Sequence, residues 1–443
     1  MSLIDLNQGA LAPVADEVLL EAPAVTGELP RDLNGVLIRN GPNPVGGRFL
    51  GSGVLSWWPE AAMLHGIAFA DGRALEYRNR WVRTRRWAEA NDPQAVASYP
   101  ETNPNVNVIS HAGEILALAE GSPPLAISRA LDTCGAPRRH PGLVGGTNAH
   151  PKVDPVTGEM MTFRSGWQAP YLQYGVVGAG GSPICDQTVE IPAPSMMHDL
   201  AITRTHSILL DLNVGYDLSM LSRGYTLPLR WHDERPARLG VVPRHGGSVR
   251  WFEIEPCFIQ HVVNAYDADE STIVLEALRY PWYLRAAADG AGFVPDPLAL
   301  LWRYDLNLAT GTATEQQLDD AQVELPRINE TRTGSPYRYL YAVEQPSNAE
   351  MRGVIRYDRT RTTLQRFALP PGDQNSEPVF VPRPGARSED DGYLIVCVYR
   401  AATDSSDVVV LNGSDIGQVL ATVHLPRRIP AGFHGAWVNA DGR

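Results

Sequence analysis

Four histidines, far apart in the chain, are the residues from which a metal centre could be built. They are His150 in Thr147-Asn148-Ala149-His150-Pro151-Lys152, His198 in Met196-Met197-His198-Asp199-Leu200-Ala201, His261 in Phe258-Ile259-Gln260-His261-Val262-Val263, and His434 in Gly432-Phe433-His434-Gly435-Ala436. Neutral imidazole offers a lone pair at ordinary pH, and four imidazoles with no carboxylate would hold a divalent transition metal at its full positive charge. Their separations of 48, 63 and 173 residues match no local zinc or His-Glu-x-x-His pattern. A single histidine is more often a core or surface residue than a ligand, and His65, His111, His140, His206, His232, His245 and His424 set that background. What separates the four is that each lies in or beside an apolar stretch, where a buried imidazole needs a partner. A metal-bound imidazole donates its second N–H to a carboxylate or a carbonyl. Glu120, Glu324 and Glu377 also stand in apolar runs, in Ala119-Glu120, Val323-Glu324-Leu325 and Ser376-Glu377-Pro378. Surface charge at a strand end is their plainer reading.

Residues so distant can meet only on a framework whose equivalent strands converge. Strand-like runs recur at 35–39, 114–118, 272–276, 337–341, 393–398 and 407–411, with turns such as Asp154-Pro155-Val156-Thr157-Gly158 and Ala112-Gly113 among them. The pairs Asp71-Gly72 and Asp391-Gly392 point to tight hairpins. Forty glycines and 36 prolines spread along 443 residues supply turn chemistry from end to end, which favours many short strands. With no long linker, the pattern predicts one closed or radially repeated all-β domain over 1–443, and a β-propeller brings distant strands to one axis. No WD or kelch repeat is present, so the pattern supports the class and not the blade count. Helical patterning is sparse and is expected only at 92–97, 217–223 and 297–304.

The charge balance, 38 basic against 50 acidic residues for a net of −12, includes no basic tract, so nucleic acid is not an expected partner. The first residues lack a signal-peptide pattern, and no window approaches the roughly 18 apolar residues of a spanning helix. Cys134, Cys185, Cys257 and Cys397 have no Cys-x-x-Cys spacing and suit a reducing compartment. A cytoplasmic protein is therefore expected. The apolar stretch 209–231 has two readings: it caps the core, or it is an exposed patch that makes peripheral contact with a membrane or guides a greasy substrate inward.

The histidine segments, together with Arg39-Asn40-Gly41-Pro42-Asn43-Pro44, Met63-Leu64-His65-Gly66, Tyr77-Arg78-Asn79-Arg80-Trp81-Val82-Arg83-Thr84, Ala149-His150-Pro151-Lys152-Val153-Asp154-Pro155 and Glu389-Asp390-Asp391-Gly392, resemble the carotenoid cleavage oxygenase family. The likeness runs in order from about Asn7 to Trp437. That family includes apocarotenoid oxygenases, plant epoxycarotenoid dioxygenases, a retinoid isomerase and lignostilbene dioxygenases. The resemblance implies a seven-bladed propeller, a dome of loops and short helices, and non-haem Fe(II) held by His150, His198, His261 and His434. It implies that Glu120, Glu324 and Glu377 orient three of the imidazoles, leaving His150 without a carboxylate. Four neutral ligands leave a coordination position open, so the implied reaction is cleavage of an apolar conjugated alkene with O2 into two carbonyl fragments, with no protein acid or base.

Three departures from the family pattern bear on substrate. Glu60-Ala61-Ala62 replaces the usual Gly-Asp-Gly before Met63, so that turn is expected to differ. In Asn105-Val106-Asn107-Val108, Val106 replaces a threonine that lies near the open metal position in relatives. Ala119 stands where lignostilbene-type members carry a lysine that binds a phenol oxygen. An apolar polyene tolerates that loss, so a carotenoid or apocarotenoid is the leading substrate, with Trp167, Tyr171, Tyr174 and Phe258 as candidate pocket residues. The alternatives are cleavage of a stilbene or phenylpropanoid alkene, isomerase chemistry on the same centre, and a propeller binding module without metal.

Overall fold

The structure is a computed structural model that describes residues 5–51, 54–223, 225, 227–287, 292–348 and 350–440. Its contacts divide the chain into two compact units, one formed mainly by 140–337 and the other by 2–139, 338–343 and 349–443.

In the first unit, three antiparallel sheets follow one another in sequence. The first runs Lys152–Val153, Met160–Ser165, Leu172–Val177 and Pro183–Thr188; the second Leu200–Ile202, His206–Asp211, Ala237–Pro243 and Arg250–Ile254; the third Phe258–Asp267, Thr272–Tyr280, Leu300–Asn307 and Thr312–Gln317. Their faces share one core, in which Phe163, Tyr174, Leu200, Ile208, Leu239, Phe252, Leu275 and Tyr304 are buried. Strands covered on both faces read as near-continuous apolar runs, which is why Ile208-Leu209-Leu210 and Ile273-Val274-Leu275 show no alternation.

The second unit contains a sheet ordered Leu19–Glu21, Arg73–Trp81, Ala62–Ala70, Gly35–Pro42, Gly435–Asn439, and another of Asn107–His111, Glu114–Leu118, Leu125–Ile127 and Thr133–Gly135. A third is ordered Ala24–Gly27, Asp415–Leu425, Ser405–Asn412, Gly392–Arg400, Gln374–Asn375, and Val379–Pro382 also pairs with Gly392–Arg400. Leu37, Ile67 and Tyr77 pack against Tyr393, Ile395 and Val410 between two of these sheets. A seventh sheet has the order Val323–Arg327, Tyr339–Glu344, Val354–Asp358, Thr363–Phe367. The fold is a seven-bladed β-propeller with few helices. Two sheets are completed by strands from opposite ends of the sequence: Gly35–Pro42 pairs with Gly435–Asn439, and Ala24–Gly27 with Asp415–Leu425.

Local turn chemistry follows the sequence at several points. Asp71 and Gly72 both take positive φ, 50° and 72°, as a two-residue primed turn requires between Ala62–Ala70 and Arg73–Trp81. Ala112-Gly113 does the same between Asn107–His111 and Glu114–Leu118. Asp391-Gly392 does not make a tight hairpin. Pro382 pairs with Gly392, so the turn is a longer loop in which Asp391 accepts from Arg383 Nε at 3.0 Å.

The helix expectations need correction. Residues 297–304 do not form a helix; Leu300–Asn307 is a strand whose faces are taken up by its neighbours in the sheet. Segment 92–97 is also not helical as predicted: the helix lies earlier, at Arg85–Asn91, and only a short 3-10 turn, Val96–Ser98, follows. The piece near 217–223 does contain a helix, Ser219–Ser222. Among the described residues no helix is long and apolar enough to cross a membrane. In the 209–231 stretch, where residues 224 and 226 lie outside the described set, Leu209, Leu210, Leu212, Val214, Met220, Leu229 and Trp231 are buried while Leu218 and Leu221 are exposed. Most of that stretch therefore belongs to the core.

Candidate metal centre

The chemistry-bearing residues occupy a recurrent place on the strands. His150 and His198 each stand two residues before the first strand of a sheet, Lys152–Val153 and Leu200–Ile202, while His261 lies inside Phe258–Asp267 and Glu324 inside Val323–Arg327. His434 immediately precedes Gly435–Asn439, and Val106 immediately precedes Asn107–His111. Pairing near His261 is irregular, with register shifts between Ile259 and Val262 and between Val262 and Asn264. Such a bulge redirects a side chain out of the regular alternation.

One nitrogen from each of His150, His198, His261 and His434 lies within 4.8 Å of the others, and all four residues are buried. The Nε2 atoms of His150 and His198 are 3.1 Å apart. The rings of His150 and His198 are centred 4.6 Å apart, and each is 5.2 Å from the ring of His261, at steep mutual angles. Two nitrogens bound side by side to a metal at ~2.1 Å are about 3 Å apart, and opposite ones about 4.2 Å. The spacing fits one ion shared by imidazoles, and the four are a metal site of all-histidine type.

Two carboxylates fix ring orientation. His261 Nδ1 lies 2.5 Å from Glu324 Oε2, and His434 Nδ1 lies 3.0 Å from Glu377 Oε1. A carboxylate can only accept, so each Nδ1 carries the hydrogen and each Nε2 presents its lone pair. Glu324 is buried and also accepts from the Tyr280 hydroxyl at 2.8 Å and from Leu325 N–H at 2.6 Å. Burial pushes its carboxyl upward, but its interaction with His261 and the donors Leu325 and Tyr280 outweigh this and hold it below the usual carboxylate range. Burial and the neighbouring Glu324 push the Tyr280 hydroxyl well above its ordinary value, so it stays a donor. Leu325 has a φ of +52°, a left-handed conformation unusual for a branched residue, and costs of this kind cluster where function over-determines the backbone. Glu377 receives Gly435 N–H at 3.0 Å. The backbone N–H of His434 donates to Val106 O at 3.2 Å, and the His434 carbonyl accepts from Asn40 N–H at 2.9 Å.

The remaining sequence candidates take several places. Val106 and Ala119 are buried, and Val106 N–H donates to Leu118 O at 2.9 Å in the same sheet edge. Glu120 is partly buried at the end of the strand Glu114–Leu118. In the altered turn, the carbonyl of Glu60 accepts from the amides of Asn103 and Asn105, and Ala62 N–H donates to Asn103. Phe258 is fully buried and stacks on Tyr283, with centroids 5.0 Å apart. Tyr174 is fully buried in the sheet core, its hydroxyl 2.8 Å from both Ser207 Oγ and Arg244 O; Tyr171 packs at the edge of that core and Trp167 is 52% exposed. Tyr280 had no signal in the sequence, because its spacing from Glu324 is unremarkable. Asp199 and Lys152, which meet at 2.7 Å, stand beside His198 and His150 and could have been found by that adjacency.

A propeller that gathers four buried imidazoles, at least two of them braced by carboxylates, defines a class of non-haem metalloproteins with an all-histidine centre. Residues 11–439 match the family model described as retinal pigment epithelial membrane protein. The chain belongs to this family, the carotenoid cleavage oxygenases. It is 35% identical to a carotenoid cleavage oxygenase of Mycobacterium tuberculosis, over 97% of this chain and 96% of that one. It is 34% identical to the carotenoid 9,10(9',10')-cleavage dioxygenase 1 of Pisum sativum, over 98% of this chain and 90% of that one. Among solved structures, the lignostilbene dioxygenase of Pseudomonas brassicacearum is similar with a TM-score of 0.89, 25% identity and 98% of both chains covered.

Proposed function

We propose that this chain is an Fe(II)-dependent dioxygenase that cleaves a conjugated C=C bond of a carotenoid or apocarotenoid with O2, giving two carbonyl products. The observation that carries the reading is the buried cluster of His150, His198, His261 and His434, with no carboxylate among the four. Iron, when bound, supplies the redox chemistry that lets triplet dioxygen react with a closed-shell alkene. The protein's part is positioning and dryness. Glu324 and Glu377 hold two rings with Nε2 inward, and Glu120 is assigned the same task for a third. No protein group is assigned as acid or base.

The polyene substrate is supported by the names of the M. tuberculosis and pea relatives and by Ala119, whose methyl group offers nothing to a phenol oxygen. Val106 adds an apolar side chain in place of a hydroxyl close to the backbone of His434. A second reading, cleavage of a stilbene or phenylpropanoid alkene, is favoured by the likeness to the lignostilbene dioxygenase. The reading keeps the chain in the cytoplasm, with Leu218 and Leu221, exposed at the helix Ser219–Ser222, as the points of any lipid contact.

Oxygen uptake measured with apocarotenals, stilbenes and isoeugenol, with product aldehydes identified by mass, decides between the substrates. Uptake with apocarotenals alone supports the first reading, and uptake with stilbenes alone replaces it by the second. His261→Ala is expected to abolish iron retention; full iron and full activity in that variant would sink the site assignment.

A further inference from the structure

Asp199 is 1% exposed and sits at the junction of three ligand-bearing segments. Its Oδ1 lies 2.7 Å from Lys152 Nζ and accepts Leu200 N–H at 2.7 Å, while its Oδ2 accepts Val262 N–H at 2.8 Å. Lys152 is two residues beyond His150, at the start of the strand Lys152–Val153. Asp199 follows His198 directly, and Val262 follows His261 directly. One carboxylate thus ties together the chain beside three of the four imidazoles.

The bulge at His261 explains why the tie is needed. Where register shifts on both sides of Val262, its N–H is turned out of the ladder, and a buried backbone donor must find an acceptor elsewhere. Asp199 supplies that acceptor, and a buried carboxylate in turn requires a counter-charge. The counter-charge is Lys152. It is the only lysine in the chain, all others of the 38 basic residues being arginine. Its compact ammonium, a point charge on a flexible stem, meets the carboxylate at one oxygen and leaves the other to Val262 N–H.

We infer that Asp199 and Lys152 are positioning residues, a clamp that holds His150, His198 and His261 at ligand spacing and so sets metal affinity and coordination geometry. This rests on the metal reading given above, with one carboxylate acting on three ligands through backbone and salt bridge instead of on one ring.

The test uses Co(II) as the probe, titrated into metal-free protein, with visible absorption bands reporting coordination geometry and chelator competition reporting affinity. Asp199→Asn and Lys152→Met are expected to bind Co(II) about 10–100-fold more weakly with shifted bands. Asp211→Asn serves as the control, since Asp211 is equally buried at the end of the strand His206–Asp211 but pairs with Arg235 and Arg238 at 2.7 Å. It is expected to lower the thermal midpoint of the metal-free protein and leave affinity and bands unchanged. Wild-type affinity and bands in Asp199→Asn and Lys152→Met overturn the clamp, as does an equal change in Asp211→Asn. If Asp199→Asn does not fold, Lys152→Met decides alone. Wild-type protein that takes up no Co(II) overturns the metal reading and the clamp with it, whereas uptake by wild type and variants alike sinks only the clamp.

Discussion

His261 and Glu324 meet at 2.5 Å in a buried setting where the carboxylate also takes donors from Tyr280 and Leu325. Three donors on one carboxylate leave it little freedom to turn, so the ring it faces is held as well. Glu324→Gln keeps the shape and removes the charge, and its amide can present a donor toward a nitrogen that already carries hydrogen. Metal affinity is expected to fall by about 10–100-fold, as for other outer partners of metal-bound imidazoles, and chelator competition against wild type measures it. An unchanged affinity would mean that Glu324 serves only the fold. At this scale the sequence was informative about residue type. An apolar setting marks a histidine or glutamate that must find a partner, whichever partner that is. It was silent on Tyr280, because nothing local tells a buried tyrosine that it faces a ligand's partner, and for Asp199 and Lys152 it offered only their adjacency to His198 and His150.

At the scale of elements, runs such as 114–118 and 393–398 became strands because β-branched and apolar side chains covered on both faces leave few other solutions. Segment 297–304 reads as a helix by composition, but from Leu300 onward it pairs with Thr272–Tyr280 and from Trp302 onward also with Thr312–Gln317, and tertiary pairing outweighs propensities of under 1 kcal/mol per residue. The loop before that strand carries a group with a testable pH signature. Asp296 accepts Leu284 N–H at 2.7 Å, and burial pushes its carboxyl up from 3.8 to about 6, only partly offset by that hydrogen bond. The folded state therefore holds the proton more tightly than the unfolded chain. Its contribution to stability is fully present below pH 3.8 and is lost as pH rises through about 6. Asp296→Asn keeps an acceptor for Leu284 and removes this loss. The variant is expected to exceed wild type by about 1–2 kcal/mol at pH 8 and to match it near pH 3.5, as read by urea unfolding. Parallel stability curves over that range would refute the assignment.

For the whole molecule, the strand Ala24–Gly27 is the N-terminal contribution to a sheet whose other strands come from the last third of the chain. Thr26 Oγ1 lies 2.8 Å from His424 Nε2, Asp16 pairs with Arg427 at 2.6 Å, and Glu17 with Arg83 at 2.7 Å. Removing residues 1–27 deletes two edge strands, Leu19–Glu21 and Ala24–Gly27, together with these ion pairs, and is expected to lower the unfolding free energy by about 3 kcal/mol or more, read from the urea midpoint. An unchanged midpoint would show that neither strand helps close its sheet. The sequence by itself determined the strand class, the spacing of turns such as Asp71-Gly72, and the candidate ligands, because each depends on side-chain chemistry within a few residues. Only the tertiary structure decided that His150, His198, His261 and His434 share one centre, that the chain makes seven blades, that 300–307 is a strand, and that Asp199 reaches both Lys152 and Val262. These depend on contacts between residues tens to hundreds of positions apart, and such contacts are formed when sheets stack and bury their faces, which no local window of sequence records.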